Sequence, residues 1–220
     1  MRREQQPVTI ERMRAAHRTR RAQIRARLAE FETVRREATD VRLWEELVYC
    51  IFTAGASARM GLRSVEAVRP LLVDGAHADL ARALDGVHRY PRARSGYIVV
   101  TRAHLLADCG LRLRERLDSF SDPLARRDWL ARTRGIKGLG YKEASHFLRN
   151  VGYRGYAILD KHILRSLAEL GIVATPDPPT TRTRYLATED ALRRFARTAR
   201  IDFDELDLVL WSMKTGEILK

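Results

Sequence analysis

Between residues 136 and 140 the chain reads Ile-Lys-Gly-Leu-Gly. Two glycines set two apart permit a tight turn and leave its amide N–H groups uncovered. Lys142 to Asn150 follows with good helix formers and neither Gly nor Pro, so a helix begins directly after the turn. Gly152 stands just past its last periodic residue and ends it. Such a turn at a helix N-terminus gathers N–H donors at the positive end of the helix dipole, an arrangement that holds an anion such as a phosphate. The stretch from Pro123 to Arg134, anchored by Trp129 and Leu130, reads as the helix before the turn. The chain is therefore expected to contain two helices joined by a glycine hairpin, with an anion site between them.

The rest of the chain is read the same way. Thr9 to about Thr39 reads as helix, in one piece or broken once, with Ile10, Met13, Ile24, Leu28, Phe31 and Val34 on its apolar side and arginines opposite. Asp40 is placed to cap the next helix, whose buried stripe is Leu43, Leu47, Val48, Ile51 and Phe52. Small residues from Thr53 to Ala58 make a turn, and short helices follow over 63–74 and 76–84. Tyr90 opens a helix to about Ala107, and 111–120 is helical again. Gly171 ends the helix that begins after Asp160, and Pro176, Pro178 and Pro179 force a loop. Leu186 to Arg200 is a basic helix. Asp202 and Glu205 have capping-box spacing before a last helix with Phe203, Leu206, Leu210 and Met213 inward. No strand pattern survives, so the predicted fold is all-α with about ten helices.

With 220 residues the chain suffices for one compact domain or two small ones sharing a cleft. Its 41 Lys and Arg against 28 acids give a net charge of +13, which favours a polyanionic partner over a solvated basic surface. No run is long enough to span a membrane, and the basic N-terminus lacks the apolar region that secretion needs. Two cysteines, Cys50 and Cys109, supply neither a disulfide framework nor a zinc site nor a four-iron cluster.

Within the helix after the turn, Ala144, Phe147, Leu148 and Val151 share the core face. Lys142, His146 and Arg149 fall on another face at i, i+4 and i+7. Asp160 comes eighteen residues after Lys142, as the N-cap of the next helix. The pattern Gly-Leu-Gly-Tyr-Lys-Glu-Ala, then Ile-Leu-Asp-Lys-His, resembles the helix-hairpin-helix superfamily of DNA base-excision glycosylases. The fuller string, from Gly140 through Leu164, is similar to one branch of it, the type-two, archaeal-type 8-oxoguanine DNA glycosylase/AP lyases. The missing four-iron cluster sets the chain apart from the usual endonuclease III branch.

The resemblance implies two helical lobes with the helix-hairpin-helix motif at the cleft between them. One is a helical barrel over 41–154; the other is built from 1–40 and 155–220. It implies that Lys142 and Asp160 are catalytic. Breaking an N-glycosidic bond passes through a cation-like transition state on a base that has left the stack. A lysine amine can attack C1′ and form a Schiff base that permits β-elimination. The start of a helix suits such an amine, because the dipole disfavours an ammonium there. Asp160 then accepts a proton or stabilises positive charge on the sugar. Taken singly, Lys142 reads as a solvated lysine and Asp160 as a cap; inside the motif the catalytic reading prevails.

DNA phosphates are assigned to Ile136, Gly138, Gly140 and His162. The resemblance assigns the damaged base to Trp211 and to the chain-terminal Lys220; on the residues alone Trp211 reads as a partly buried core tryptophan and Lys220 as simply where the chain stops. His146, one turn from Lys142, is a third candidate for the base pocket, with ordinary packing as its alternative. The carboxylate of Lys220 would accept a hydrogen bond from the N7–H of 8-oxoguanine and repel the N7 lone pair of guanine. The superfamily's DNA-inserting loop corresponds to 53–58, where Gly55 and Ala56 offer no bulky wedge, so a plain turn is the default there.

No metal or cofactor is expected, apart from a monovalent cation that the resemblance implies at the hairpin. The expected partner is double-stranded DNA containing an oxidised base, bound by a monomer in the cytoplasm, at the nucleoid. Two alternatives stand beside 8-oxoguanine excision. One is the same chemistry on an oxidised pyrimidine. The other is a non-enzymatic duplex-binding module, which would need neither Lys142 nor Asp160.

Overall fold

The computed structural model describes residues 6–218. Among these, eleven α-helices and one short 3-10 turn form the structure, and no strand is present. In order they are α1 (Ile10–Glu37), α2 (Asp40–Thr53), α3 (Ala58–Val68), α4 (His77–Ala83), α5 (Pro91–Cys109), α6 (Leu113–Asp118), α7 (Pro123–Arg132), α8 (Tyr141–Asn150), α9 (Lys161–Glu169), α10 (Arg182–Ala199) and α11 (Phe203–Thr215). The 3-10 turn, Arg69–Leu71, follows α3. The chain divides into two compact units, one spanning Thr33–Gly152 and the other combining the residues up to Glu32 with those from Tyr153 onward. The first division falls within α1, earlier than the lobe limit of 41 read from the sequence.

In the contiguous unit the core is α2, of which every side chain from Leu43 to Thr53 is buried. The stripe read from the sequence is only part of this, because α3, α5, α6 and α8 surround α2 and leave it no wet face. Its cap is Thr39, whose side chain accepts from the N–H of Arg42. Asp40 is instead the first helical residue and accepts from the N–H of Arg114 at 2.8 Å. Helix α3 begins at Ala58, capped by Ser57, five residues before the sequence-based start at 63. Gly61, inside it, is a close-approach glycine, since a Cβ there would sit 2.6 Å from Cγ2 of Thr53.

The other unit packs α9 and α10 against α11. Helix α1 is unbroken over 28 residues and buries Met13, Ile24, Leu28 and Phe31. Its polar ties run to α11: Arg20 donates to Oγ of Ser212 at 2.7 Å, and His17 and Arg25 each reach the Glu205 carboxylate at 2.6 Å. Burial alone would push the Glu205 carboxyl up, but these two hydrogen bonds outweigh it and hold it below the usual carboxylate range. Asp202 caps α11 by accepting from the N–H groups of Asp204 and Glu205. The Glu205 carboxylate, expected to return to Asp202, is drawn to α1. Phe203 and Met213, read as core, are half-buried, and Arg193 lies 4.3 Å over the Phe203 ring. Leu206, Leu208, Val209 and Leu210 fill the core instead.

Candidate active site

The glycine turn is held from both sides. Helices α7 and α8 pack together as its two arms, and the Tyr141 hydroxyl donates to Oδ1 of Asp128 at 2.7 Å. The fully buried Arg127 donates to Oγ of Ser145 at 3.2 Å. Leu130 anchors α7 in the core, whereas Trp129 is half-buried against Phe120, under the guanidinium of Arg116. In the turn itself Ile136 and Leu139 point inward and are buried, while Lys137 and Gly140 are exposed.

Gly138 has φ +78°, and a Cβ there would lie 2.8 Å from Tyr97 and 3.3 Å from both Arg94 and Ile51. Gly140 is different: φ is −97° and an added Cβ would meet only a Glu143 oxygen at 3.3 Å. Gly138→Val is therefore expected to cost about 1–3 kcal/mol through strain and collision. It should weaken binding to lesion and undamaged duplex alike. Gly140→Ala should leave the melting temperature almost unchanged. Thermal melts with duplex binding check the pair; equal melting temperatures for the two variants would refute the close-packing account of Gly138.

The amides of the turn are unequally available. Ile136 N–H donates to the Thr133 carbonyl at 3.0 Å, Lys137 N–H to Oγ1 of Thr101 at 2.9 Å and Gly140 N–H to Oε2 of Glu143 at 3.2 Å. Among the described residues no protein acceptor takes the amides of Gly138, Leu139, Lys142 and Glu143. Donors for an anion thus remain at one glycine and at the first turn of α8, where helical N–H groups lack partners by construction. The sequence had placed Ile136 and Gly140 among the phosphate contacts. In this structure their own N–H groups are already bonded within the chain.

Helix α8 runs from Tyr141 to Asn150 with Gly140 as its N-cap residue. Lys142 is its second residue, with a 27%-exposed side chain whose Nζ lies 2.9 Å from Oε1 of Glu143. The face carrying His146 and Arg149, read from the sequence as lying away from the core, is buried. Helices α2 and α7 both pack on α8, so two of its sides are covered. The His146 ring stands edge-on to Tyr49 with centroids 5.6 Å apart.

In the other unit Asp160 caps α9 as expected. Its Oδ1 accepts from the N–H groups of His162 and Ile163, both at 2.8 Å, which leaves Oδ2 outside the cap. The irregular segment leading to Asp160 is pinned by buried acids. Gly155 N–H donates to Asp204 at 2.9 Å, Ala157 N–H to Glu189 at 2.9 Å and Ile158 N–H to Asp207 at 3.3 Å. A buried loop must find partners for its backbone, and these carboxylates provide them. His162 is half-buried. Burial pushes its imidazole below the ordinary value, aided by Lys161, Arg165 and Lys214 and opposed by Asp160.

Trp211 is half-buried on α11, and among the described residues its indole N–H donates to no acceptor. Arg27 of α1 reaches the Ile218 carbonyl at 3.5 Å. Lys220, the other predicted base contact, lies outside the described residues. No helix among the described residues is long and apolar enough to cross a membrane, and no group of three or more His, Cys, Asp or Glu there is arranged to hold a metal ion.

The sequence model of one family, described as 8-oxoguanine DNA glycosylase, matches residues 24–201. The chain belongs to the 8-oxoguanine DNA glycosylase family. It is 41% identical over 198 residues to an 8-oxoguanine DNA glycosylase/AP lyase of Korarchaeum cryptofilum, covering 90% of each chain. A second relative of that description, from Methanocaldococcus jannaschii, is 35% identical over 195 residues, 88% of this chain and 90% of the relative. Among solved structures, the M. jannaschii 8-oxoguanine glycosylase/lyase in complex with a 15mer DNA containing 8-oxoguanine superimposes with a TM-score of 0.85 at 33% identity. That match covers 96% of this chain and 99% of the other. The 8-oxoguanine DNA glycosylase of Thermotoga maritima gives the same TM-score and identity over 96% and 98%. Membership bears out the resemblance and the all-α helix-hairpin-helix fold read from the sequence.

Sequence reasoning passed over Glu143 and the buried acids of the 155–158 segment. Glu143 had a signal, since a Glu three residues after a cap residue is capping-box spacing. Asp204, Asp207 and Glu189 had none, because their partners are backbone groups of a distant segment.

Proposed function

We propose that this chain is an 8-oxoguanine DNA glycosylase/AP lyase of base excision repair. The observation that carries the reading is the amine of Lys142 at the second position of α8, directly after the glycine turn, in a chain of this family. The lone pair of Nζ forms a bond to C1′ as the C1′–N9 bond breaks, and the base leaves with that electron pair. The C1′–O4′ bond then breaks, its electrons staying on the ring oxygen, which takes a proton as the nitrogen gives one up; this leaves the C1′=Nζ Schiff base, and loss of a C2′ proton expels the 3′ phosphate. Asp160 balances the positive charge on the sugar through Oδ2, the oxygen outside the helix cap. Trp211, half-buried with its N–H unclaimed among the described residues, is the stacking surface for the extruded base. Lys220 is a further candidate contact to the base. His146, packed edge-on against Tyr49, is the remaining candidate for the base pocket.

The DNA backbone docks on the amides of the hairpin and of the first turn of α8, and His162 donates to a further phosphate. A monovalent cation at the hairpin fits the chemistry of the turn. The carbonyl oxygens of Ile136 to Leu139 accept no hydrogen bond among the described residues, and backbone carbonyls suit hard cations. Those carbonyls would hold the cation, which would add positive charge at the hairpin. Duplex DNA places the protein's work at the nucleoid.

The test is incubation with duplexes carrying different lesions in the presence of borohydride. A covalent adduct forming fastest on 8-oxoguanine DNA is expected. Faster trapping on an oxidised pyrimidine would move the substrate, and tight binding without any adduct would leave a duplex-binding module.

A further inference from the structure

Glu143 is the third residue of α8, and its carboxylate is divided between two partners. Oε1 lies 2.9 Å from Nζ of Lys142, and Oε2 accepts from the N–H of Gly140 at 3.2 Å. The Glu143 side chain is 13% exposed and that of Lys142 27%. Ion pairs this close to solvent add little to stability. Capping the helix occupies only one of the two oxygens. Neither stability nor capping accounts for the second contact.

The surroundings of Lys142 give that contact a purpose. An ammonium at the second position of a helix faces the positive end of the dipole, which repels it. Its stem also has four rotatable carbons and no fixed direction of its own. We propose that Glu143 is a positioning residue for Lys142, its carboxylate holding the amine against the glycine turn so that one side chain ties the nucleophile to the loop that docks on DNA. The inference rests on Lys142 being the nucleophile. Its effect on rate follows from geometry, because displacing a reacting group by about an ångström costs on the order of a hundredfold.

Glu143→Gln separates the two contacts: the amide oxygen still accepts from Gly140 N–H, but the charge facing Lys142 is gone. Glu143→Ala removes both. Four quantities are read for each: melting temperature, affinity for undamaged duplex, single-turnover borohydride trapping on 8-oxoguanine duplex, and labelling of Lys142 by an amine-acylating reagent in the DNA-free protein, followed by peptide mass spectrometry. In Glu143→Gln the first two should match wild type, trapping should slow about tenfold or more, and Lys142 labelling should rise several-fold. Glu143→Asp should recover part of the trapping rate. Wild-type trapping in Glu143→Gln, with a lowered melting temperature in Glu143→Ala, would reduce Glu143 to a helix cap and overturn the proposal. So would a loss of trapping matched by an equal loss of duplex affinity. If wild type itself forms no adduct, the enzymatic reading fails separately, and unchanged labelling in Glu143→Gln would still overturn the hold on Lys142.

Discussion

Lys142→Gln should abolish both the borohydride-trapped adduct and strand cleavage, a loss on the order of a thousandfold or more, while duplex binding stays close to wild type. Glutamine keeps the length of the side chain and a polar end but has no lone pair able to form a Schiff base. The fold has little stake in the change. Lys142 is partly exposed and its side-chain partner among the described residues is the neighbouring Glu143, so the stability cost should stay within about 1 kcal/mol. The turn amides that dock the backbone belong to the main chain and survive the substitution. Trapping of the variant at the wild-type level would mean that another amine attacks C1′.

Asp160→Asn is the second large effect. Asparagine caps helices about as well as aspartate. Both cap bonds of Asp160 end on a single oxygen, so the amide oxygen of Asn can replace it. The melting temperature should therefore move little, by the equivalent of about 0.5 kcal/mol or less. The variant loses the negative charge that offsets the cationic sugar, and single-turnover excision should fall about 10²- to 10⁴-fold. Measuring both on one preparation separates the roles. A large drop in melting temperature with a near-normal excision rate would leave Asp160 as a cap and nothing more.

Local chemistry was legible in the sequence, and tertiary coverage was not. The glycine turn, the helix after it and the Asp160 cap each depend on residues within a few positions of one another, and each appears where the sequence puts it. His146 and Arg149 were placed away from the core because periodicity reports the spacing of one apolar stripe. It says nothing about a second helix lying on the polar side, and α2 and α7 together bury what a lone amphipathic helix would expose. Gly61 carries a related ambiguity: a glycine needed for close packing looks the same in sequence as one that ends a helix. Lys142 and Asp160 came from the motif, whereas the carboxylates that steady the segment before Asp160 reach it from positions 32 to 49 residues away.

The order of synthesis bears on the unit that combines both ends of the chain. Helix α1 leaves the ribosome first, but its partner Glu205 lies 188 residues beyond His17. At translation rates of about 5–20 residues per second, α1, with its Met13, Ile24, Leu28 and Phe31 face, waits roughly 10–40 s for that contact. The contiguous unit, complete at Gly152, can close on itself during the wait. A nascent chain halted between Gly152 and α11 thus carries Lys142 on a folded body and an apolar helix without its α11 partner, which makes such stalled translation products a natural target for chaperones and proteases.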